Sequence, residues 1–274
     1  MTDRSRLVAI VVPLSNRPEI TPSEQISLRH LRHFLGHYPI YMVAPESLDV
    51  KFPDFEIKRF NDKYFGSAEA HKRMLFSREF YAAFDDYKFL MNYHLDALVF
   101  SDQLQQWCAK DYDFIGPPWI EHEDSPNTGK PAYRGRVGNG GFSLRKVDSF
   151  LKIFDSPRQA VDPDEYWRRI SSSMSFTQRL AALPKKYLMH FRRFNNVNWD
   201  LARYRRSEER FLFERGPHYN PDFRIASVEE ALKFGFETVP AYCYELNNRE
   251  LPFGCHAWER YDRKFWEPFL LKDP

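Results

Sequence analysis

The chain has 274 residues, of which 43% are hydrophobic and 28% charged, a composition typical of a globular protein and not of a disordered one. The formal net charge of +2 at pH 7 is nearly neutral, which gives no support to a nucleic-acid-binding protein. The length suits one large α/β domain, and we expect a single domain over residues 1–274.

Cysteine content and hydropathy limit the cellular setting. Cys108, Cys243 and Cys255 are scattered and form no Cys-x-x-Cys pair, which excludes a disulfide framework and a cysteine-rich zinc site. No segment approaches the roughly twenty apolar residues that a membrane-spanning helix needs. The apolar run before Pro13 is also too short for a signal peptide. We therefore expect a cytoplasmic protein with reduced thiols that at most attaches to the inner face of the membrane.

The first hundred residues alternate between strand and helix patterns. "LVAIVV", before Pro13, is a continuous apolar run typical of a strand buried on both faces of a parallel sheet. Helical spacing follows in "SEQISLRHLRHFLG", strand patterns in "YPIYMVAP" and "FEIKRFN", a helix pattern in "SAEAHKRMLFSREFYAAF" and a fourth strand in "YKFLMNYHLDALVF". This order predicts the nucleotide-binding half of a doubly wound α/β sheet.

A carboxylate interrupts the fourth strand pattern. Asp96 lies between Leu95 and Ala97, toward the predicted carboxyl end of the strand, which is where ligands bind in doubly wound sheets. His94 lies two residues earlier, so on an extended chain it points to the same side. Because an ionised carboxylate among apolar residues needs a partner, we expect a cation held for a ligand, or else a buried arginine or a turn cap.

The second half of the chain is less regular. "YDFIGPPW" predicts a short strand that enters a proline turn, and "VGNGGFSLRKVDSFLKIF" predicts a glycine-rich turn, a strand and a helix that begins near Asp148. Gly140 and Gly141, beside Asn139, allow the backbone to approach a ligand closely. The spacing matches neither a dinucleotide fingerprint nor a P-loop. The turn is therefore either a simple hairpin or a floor under a sugar ring, with the Asn139 amide reaching hydroxyls.

Three further stretches contain candidate chemistry. Glu208 and Glu209, in "RYRRSEERFLFE", fit a solvated charge run, although one carboxylate could lie in a cleft and act as a general base. His256, in "LPFGCHAW", is either a core histidine or a metal ligand. The basic residues within 185–206 indicate a solvated face, or alternatively a dock for an anionic acceptor or an anionic membrane.

Five motifs, in this order and at this spacing, resemble a bacterial family of glycosyltransferases that was long catalogued only as a domain of unknown function. They are "YHLDALVF", "YDFIGPPW", "VGNGGFSLRK", "SEERFLF" and "NNRELPFGCHAW", and the likeness extends from roughly residue 60 to 260. The resemblance implies a GT-A-like α/β domain with a Rossmann-like, mostly parallel central sheet, flanking helices and a mixed C-terminal part. Residues 1–100 would form the nucleotide-binding half, and residues 101–274 the donor-sugar and acceptor half.

The resemblance also implies a nucleotide-sugar-dependent transferase that uses Mn²⁺ or Mg²⁺. Asp96 would be the Asp-x-Asp-type metal ligand and His256 the second protein ligand. Relatives carry Gln at the position of His94, so His94 is expected at the ribose or the diphosphate. Relatives carry Glu-Asp where this chain has Glu208-Glu209, so the base that deprotonates the acceptor hydroxyl is expected to be Glu209, with Glu208 as the alternative.

The expected donor site lies around the end of the first strand. The nucleotide base would lie near Pro13, Asn16 and Arg17, and Lys72 or Arg73 could reach the diphosphate. If Glu209 acts on the face opposite the leaving group, displacement is direct and the anomeric configuration inverts.

The leading interpretation is transfer of a sugar from a nucleotide-diphosphate donor to a hydroxyl of a glycan, lipid-linked or polysaccharide acceptor, as in polysaccharide biosynthesis. Two other classes stay open. A metal-dependent hydrolase of a nucleotide sugar or phosphoester would use the same carboxylate and histidine. A non-catalytic carbohydrate-binding module would suit the aromatic content of 17%.

Overall fold

The computed structural model describes residues 6–14, 16–17, 19–52, 54–126, 128–130 and 135–272. The chain forms two compact units, one from Met1–Asp148 together with Arg224–Pro274 and the other from Ser149–Phe223. These boundaries differ from the division at residue 100 expected from the sequence, and the assignment of a nucleotide half and an acceptor half stays a prediction. None of the helices in the described ranges has both the length and the apolar character needed to cross a bilayer.

The elements follow the chain in this order. The strands are β1 (Arg6–Pro13), β2 (Ile40–Pro45), β3 (Glu56–Phe60), β4 (Tyr87–Tyr93), β5 (Leu98–Val99), β6 (Phe114–Ile115), β7 (Pro118–Trp119), β8 (Arg136–Val137), β9 (Phe142–Lys146), β10 (Gly235–Phe236) and β11 (Gly254–Cys255). The helices are α1 (Pro22–Leu35), α2 (Ala68–Leu75), α3 (Arg78–Ala82), α4 (Leu104–Ala109), α5 (Val147–Phe154), α6 (Pro163–Ser171), α7 (Phe176–Leu188), α8 (Val197–Leu201), α9 (Glu208–Glu214), α10 (Gly216–Tyr219), α11 (Val228–Phe234), α12 (Pro240–Leu246) and α13 (Arg263–Trp266).

The centre of the first unit is a six-stranded sheet in the order β3-β2-β1-β4-β9-β6. The first four strands in this order run parallel, and β9 runs antiparallel to both β4 and β6. The apolar run Val8–Val12 of β1 is fully buried at the middle of the sheet, as its continuous hydrophobic pattern predicts. The predicted α/β class with a mostly parallel central sheet is confirmed.

The expected single strand through "YKFLMNYHLDALVF" is wrong in its second part. Strand β4 ends at Tyr93, and a turn closed by a hydrogen bond from Ala97 N to His94 O follows, 2.9 Å long. The apolar run then continues as β5, which belongs to a separate three-stranded sheet in the order β10-β11-β5. Asp96 therefore lies in a turn, with its side chain 52% exposed, and not inside a buried strand.

The pairing of β5 with β11 brings distant parts of the chain together. The two strands are antiparallel, and Cys255 pairs with Leu98. His256 consequently emerges beside the turn that carries Asp96, and the Trp258 N–H donates to the Asp96 carbonyl at 3.1 Å. The three-stranded sheet thus positions His256 beside the carboxyl end of β4.

The second unit is helical and has its own core. Phe211, Leu212 and Tyr219 are buried in it. The buried Asp200 carboxylate accepts a hydrogen bond from the Tyr219 hydroxyl at 2.8 Å and lies 3.8 Å from the Arg215 guanidinium. Helices α6 to α10 lie in this unit, and none of them buries more than three residues.

Candidate metal centre

Three potential metal ligands converge where β4 and β11 end. One ligand atom from each of His94, Asp96 and His256 lies within 4.8 Å of the others. His256 Nε2 is 3.2 Å from Asp96 Oδ1, and the His256 side chain is only 13% exposed. Asp96 and His256, which the sequence analysis named as ligands, are therefore adjacent. Their role in metal binding stays a prediction.

A second carboxylate holds the other side of the His256 ring. Glu237 Oε1 lies 3.3 Å from His256 Nδ1, and the Glu237 side chain is 12% exposed. A ligand histidine commonly has such a partner, because a carboxylate at one ring nitrogen fixes the ring and makes the other nitrogen a better donor. Glu237 was not identified from sequence, since a lone glutamate in "GFETVP" belongs to no motif.

The glycine-rich turn supports this arrangement. Asn139, at a φ of +67°, donates from its amide to Glu237 and lies 2.8 Å from His256 Nδ1. Its own side-chain oxygen accepts from the Gly141 N–H at 2.8 Å. In this structure the Asn139 amide is engaged with Glu237 and His256. Its expected contact with sugar hydroxyls stays a prediction.

Gly141 lies where no side chain fits. A Cβ at this position would be 2.1 Å from His256 Nε2 and 2.8 Å from His94 Nδ1, so both ring nitrogens face the same small space. The Gly141 carbonyl also accepts from the His94 N–H at 2.8 Å. The adjacent Gly140 carbonyl accepts from Asn92 and from the buried Arg145 guanidinium. The turn thus shapes the space between the two histidines.

His71, on α2, extends the cluster and was also missed from sequence. Its Nε2 lies 3.1 Å from His94 Nε2. Burial and the Arg145 charge lower the pKa of His71 to about 4. Burial, together with His71 and His256, lowers the pKa of His94 well below its ordinary value. Both rings are therefore neutral near pH 7. A proton on His94 Nε2, shared with His71, would leave the Nδ1 lone pair for a ligand.

Asp96 and His256, unlike the neutral His71 and His94, are both charged when no cation is bound. Burial alone would lower the pKa of His256, but the Asp96 and Glu237 carboxylates outweigh it and raise the pKa to about 10. Burial would raise the pKa of Asp96, but the positive charge of the His256 ring, 3.2 Å away, holds it at about 2. Without a cation, the pair is an imidazolium facing a carboxylate.

The donor set fits a divalent cation. His256 Nε2 is buried and makes no hydrogen bond of acceptable geometry within the described part of the chain. Once the ring loses its proton, the lone pair of this buried atom, beside the Asp96 carboxylate, is available to a metal ion. Two imidazoles and one carboxylate suit a divalent transition-metal ion better than Mg²⁺, which prefers oxygen ligands.

A cleft of about 520 Å³ opens beside the cluster. It lies beyond the carboxyl ends of β1 and β4, where ligands bind in doubly wound sheets. Its lining includes Pro13, Asn16, Tyr64, Phe65, Ser67, His71, His94 and Asp96. Pro13 and Asn16 are thus located at the cleft expected for the nucleotide, and their contact with a nucleotide stays a prediction.

Three basic residues expected near the nucleotide have protein partners. Arg17 donates to Glu24 at 2.6 Å. Lys72 is 3.6 Å from Glu69, and Arg73 donates to the Lys63 carbonyl at 3.3 Å. Helix α2 contributes His71 to the cleft lining. A role for Arg17, Lys72 or Arg73 at the diphosphate stays a prediction.

The acidic pair lies in the second unit. Glu208 and Glu209 occupy the first turn of α9, after Ser207. Glu208 is buried, at 4% exposure, and Glu209 is half-buried. A carboxylate in the first helical turn is favoured by the helix dipole, so this position is also explained structurally. The choice of either as a base stays a prediction.

Solved structures with a related arrangement are glycosyltransferases of low sequence identity. One involved in glycosylation of the major capsid of PBCV-1 is 8% identical, with 96% of this chain and 98% of that chain covered and a TM-score of 0.49. An active-site mutant of LgtC is 12% identical, with 97% of both chains covered and a TM-score of 0.48. Mouse xyloside xylosyltransferase 1 is 10% identical, with 92% and 97% covered and a TM-score of 0.43. At these scores the similarity assigns neither substrate nor mechanism.

No curated protein matches this chain. The sequence profile of the family described as "Protein of unknown function (DUF5672)" matches residues 54–256, which include every member of the candidate metal cluster. The chain therefore belongs to the DUF5672 family.

Proposed function

We propose that the protein is a metal-dependent glycosyltransferase that moves a sugar from a nucleotide-diphosphate donor to a hydroxyl of a glycan or glycolipid. The observation that carries this proposal is the convergence of His94, Asp96 and His256 at one end of a cleft beyond the parallel strands. A nucleotide diphosphate has several negative charges, and a divalent cation is the usual means of binding it to a carboxylate. We further propose a cytoplasmic location, for which the buried free thiols of Cys108, Cys243 and Cys255 give support.

Each side chain of the candidate site would have a distinct role. Asp96 and His256 would hold Mn²⁺, with His94 as a third ligand or a contact to the diphosphate. When bound, the ion supplies charge neutralisation for the departing diphosphate. Glu237 and Asn139 keep the His256 ring in place. The cleft around Pro13 and Asn16 would hold the nucleotide and exclude water from the sugar.

We propose an inverting displacement with Glu209 as the general base and Glu208 as the alternative. The base takes the proton from the acceptor hydroxyl, whose oxygen forms a bond to the anomeric carbon. The bond from that carbon to the diphosphate oxygen breaks, and its electron pair leaves with the nucleotide. Retained anomeric configuration in the product, measured by NMR, would contradict this step.

Metal-dependent nucleotide binding is the first test. Nucleoside diphosphates and their sugars should raise the melting temperature in the presence of Mn²⁺, because a ligand that binds the native state stabilises it. Thermal-shift measurements detect this change. In Asp96→Ala we expect this metal-dependent shift to disappear while the unliganded protein melts near the parent. Asp102→Ala, which removes an exposed carboxylate from the same unit, should behave like the parent.

The reaction class is tested separately. Nucleotide release that requires an added glycan acceptor supports the transferase, whereas equal release in water alone supports a hydrolase. Glycan binding that is unaffected by EDTA, without any nucleotide release, would indicate a carbohydrate-binding module.

A further inference from the structure

Large apolar side chains are concentrated on the surface of one short segment of the second unit. Nine large hydrophobic side chains are exposed among the described residues, and six of them lie within residues 176–194. These six are Phe176, Leu180, Tyr187, Leu188, Phe191 and Phe194. Phe176 is 76% exposed and Phe191 is 63% exposed. Scattered exposed apolar residues are ordinary, but six within one short segment indicate an interaction surface.

Helix α7 presents its apolar stripe to solvent. Phe176, Leu180 and Tyr187 are separated by four and seven residues, which places them on one face of a helix. Every residue of α7 is described, and none is buried. A stripe of this spacing normally faces a core. Among the residues that the structure describes, no core covers the stripe on α7.

The opposite side of α7 packs on α6. The Lys185 ammonium lies 5.4 Å from the centre of the Tyr166 ring, and the Lys186 ammonium lies 5.8 Å from the Trp167 ring. The helix also has a capping box at Ser175, so it is well defined at its start. The exposed stripe is thus a fixed feature of a folded helix.

The charge of the same segment has one sign. Residues 176–194 contain five Lys or Arg and no Asp or Glu, whereas the rest of the chain has 35 Lys or Arg against 38 Asp or Glu. Basic residues interleaved with aromatic ones are the pattern of a surface that lies in a lipid headgroup region. A second copy of this chain is a poor partner, because pairing would bring five positive charges against five others.

We propose that the α7 face, defined as residues 176–194, docks on an anionic membrane surface. The Phe and Leu side chains would enter the headgroup and acyl boundary, and the basic side chains would contact lipid phosphates. Where glycosyl transfer also holds, which rests on the proposed function, the acceptor is lipid-linked. Membrane binding itself does not depend on that chemistry.

Vesicle sedimentation tests this proposal. The full chain should sediment with phosphatidylglycerol-containing vesicles and not with pure phosphatidylcholine vesicles, and binding should weaken as salt rises. The double variant Phe176→Ser with Phe191→Ser should lose at least tenfold in affinity. Leu246→Ser removes a large apolar side chain that is 46% exposed outside the α7 face, and it should bind like the parent.

The variants also separate this proposal from the catalytic one. The double variant should keep the thermal shift produced by Mn²⁺ and nucleotide, which shows that it is folded. Equal vesicle binding by parent and double variant, or no binding by the parent, would overturn the membrane proposal. Concentration-dependent dimerisation that the double variant abolishes would overturn it in favour of self-association.

Discussion

At the scale of single residues, His256 determines how the candidate site responds to protons. It lies between the Asp96 and Glu237 carboxylates, which raise its pKa to about 10. A metal ion needs the lone pair of His256 Nε2, so the ion must displace a proton from the ring.

This competition predicts proton release on metal binding. At pH 7.5 the metal-free ring is protonated, and we expect release of about one proton for each Mn²⁺ bound. Affinity should rise about tenfold per pH unit on approach to pH 10, because the proton is then a weaker competitor. Calorimetry in buffers of different ionisation enthalpy measures the number of protons released for each Mn²⁺ bound. Metal binding with no proton exchange would contradict the assignment of His256 as a ligand.

Glu237 is expected to act on the metal through His256. In Glu237→Gln the ring loses the carboxylate that orients it, and we expect Mn²⁺ affinity to fall by about 10- to 100-fold. The proton release should also decrease, because the pKa of His256 falls when one of its two carboxylate partners is neutral. Glu245→Gln removes an exposed carboxylate paired with Arg249 and serves as the matched control. An unchanged affinity in Glu237→Gln would show that the residue has no positioning role.

At the scale of elements, α1 is tied to the C-terminal segment through a buried histidine. His30 Nδ1 lies 2.9 Å from the Val99 carbonyl, and His30 Nε2 accepts from the Leu271 N–H at 3.0 Å. These contacts require the neutral ring with its proton on Nδ1. Burial lowers the pKa of His30, and the nearby positive charges of Arg29 and His33 lower it further.

The shift at His30 predicts a pH dependence of stability. Below about pH 6.5 the unfolded chain binds a proton at this residue before the folded chain does, so the free energy of unfolding should decrease as the pH falls. In His30→Gln this dependence should be weaker than in the parent. His37→Gln, at an exposed position just after the same helix, is the control. Chemical denaturation of the parent and both variants at pH 5 and pH 7.5 measures the change in the free energy of unfolding.

Sequence periodicity predicted β1, α1, β2 and β3, but it predicted neither the end of β4 nor the separation of α2 from α3. The apolar run of β1 and the helical spacing of α1 are local properties, and both were located from sequence. The end of β4 at Tyr93 is not local, because the turn after it is held by the bond from His94 N to the Gly141 carbonyl. The apolar character of Ala97 and Leu98 continues through that turn and conceals it.

The difference between local patterns and contacts between distant residues also explains which site residues could be identified from sequence. Asp96 and His256 stood out because each is polar within an apolar stretch. Glu237 and His71 matter through their contacts with His256 and His94, which no sequence spacing reveals. The segment that forms α7 was not assigned from sequence, and no spacing could show whether another element covers its apolar stripe.

At the scale of the whole molecule, the proposed general base can be tested separately from the proposed metal ligands. The metal ligands belong to the first unit and the acidic pair to the second. For Glu209→Gln we expect donor binding to survive and turnover to fall by about 10²- to 10⁴-fold, the usual loss for a general base. Glu208→Gln is the companion variant, and full turnover in Glu209→Gln with a loss in Glu208→Gln would transfer the role to Glu208.

The short pairing between β5 and β11 has a consequence for how this site can change. Two residue pairs, Gly254 with Val99 and Cys255 with Leu98, set the direction in which His256 leaves its strand. Since successive side chains on a strand alternate in direction, inserting one residue just before Gly254 would turn His256 away from Asp96. The six-stranded sheet does not include this pairing, so the insertion of a single codon would dismantle the proposed metal site and leave the scaffold in place.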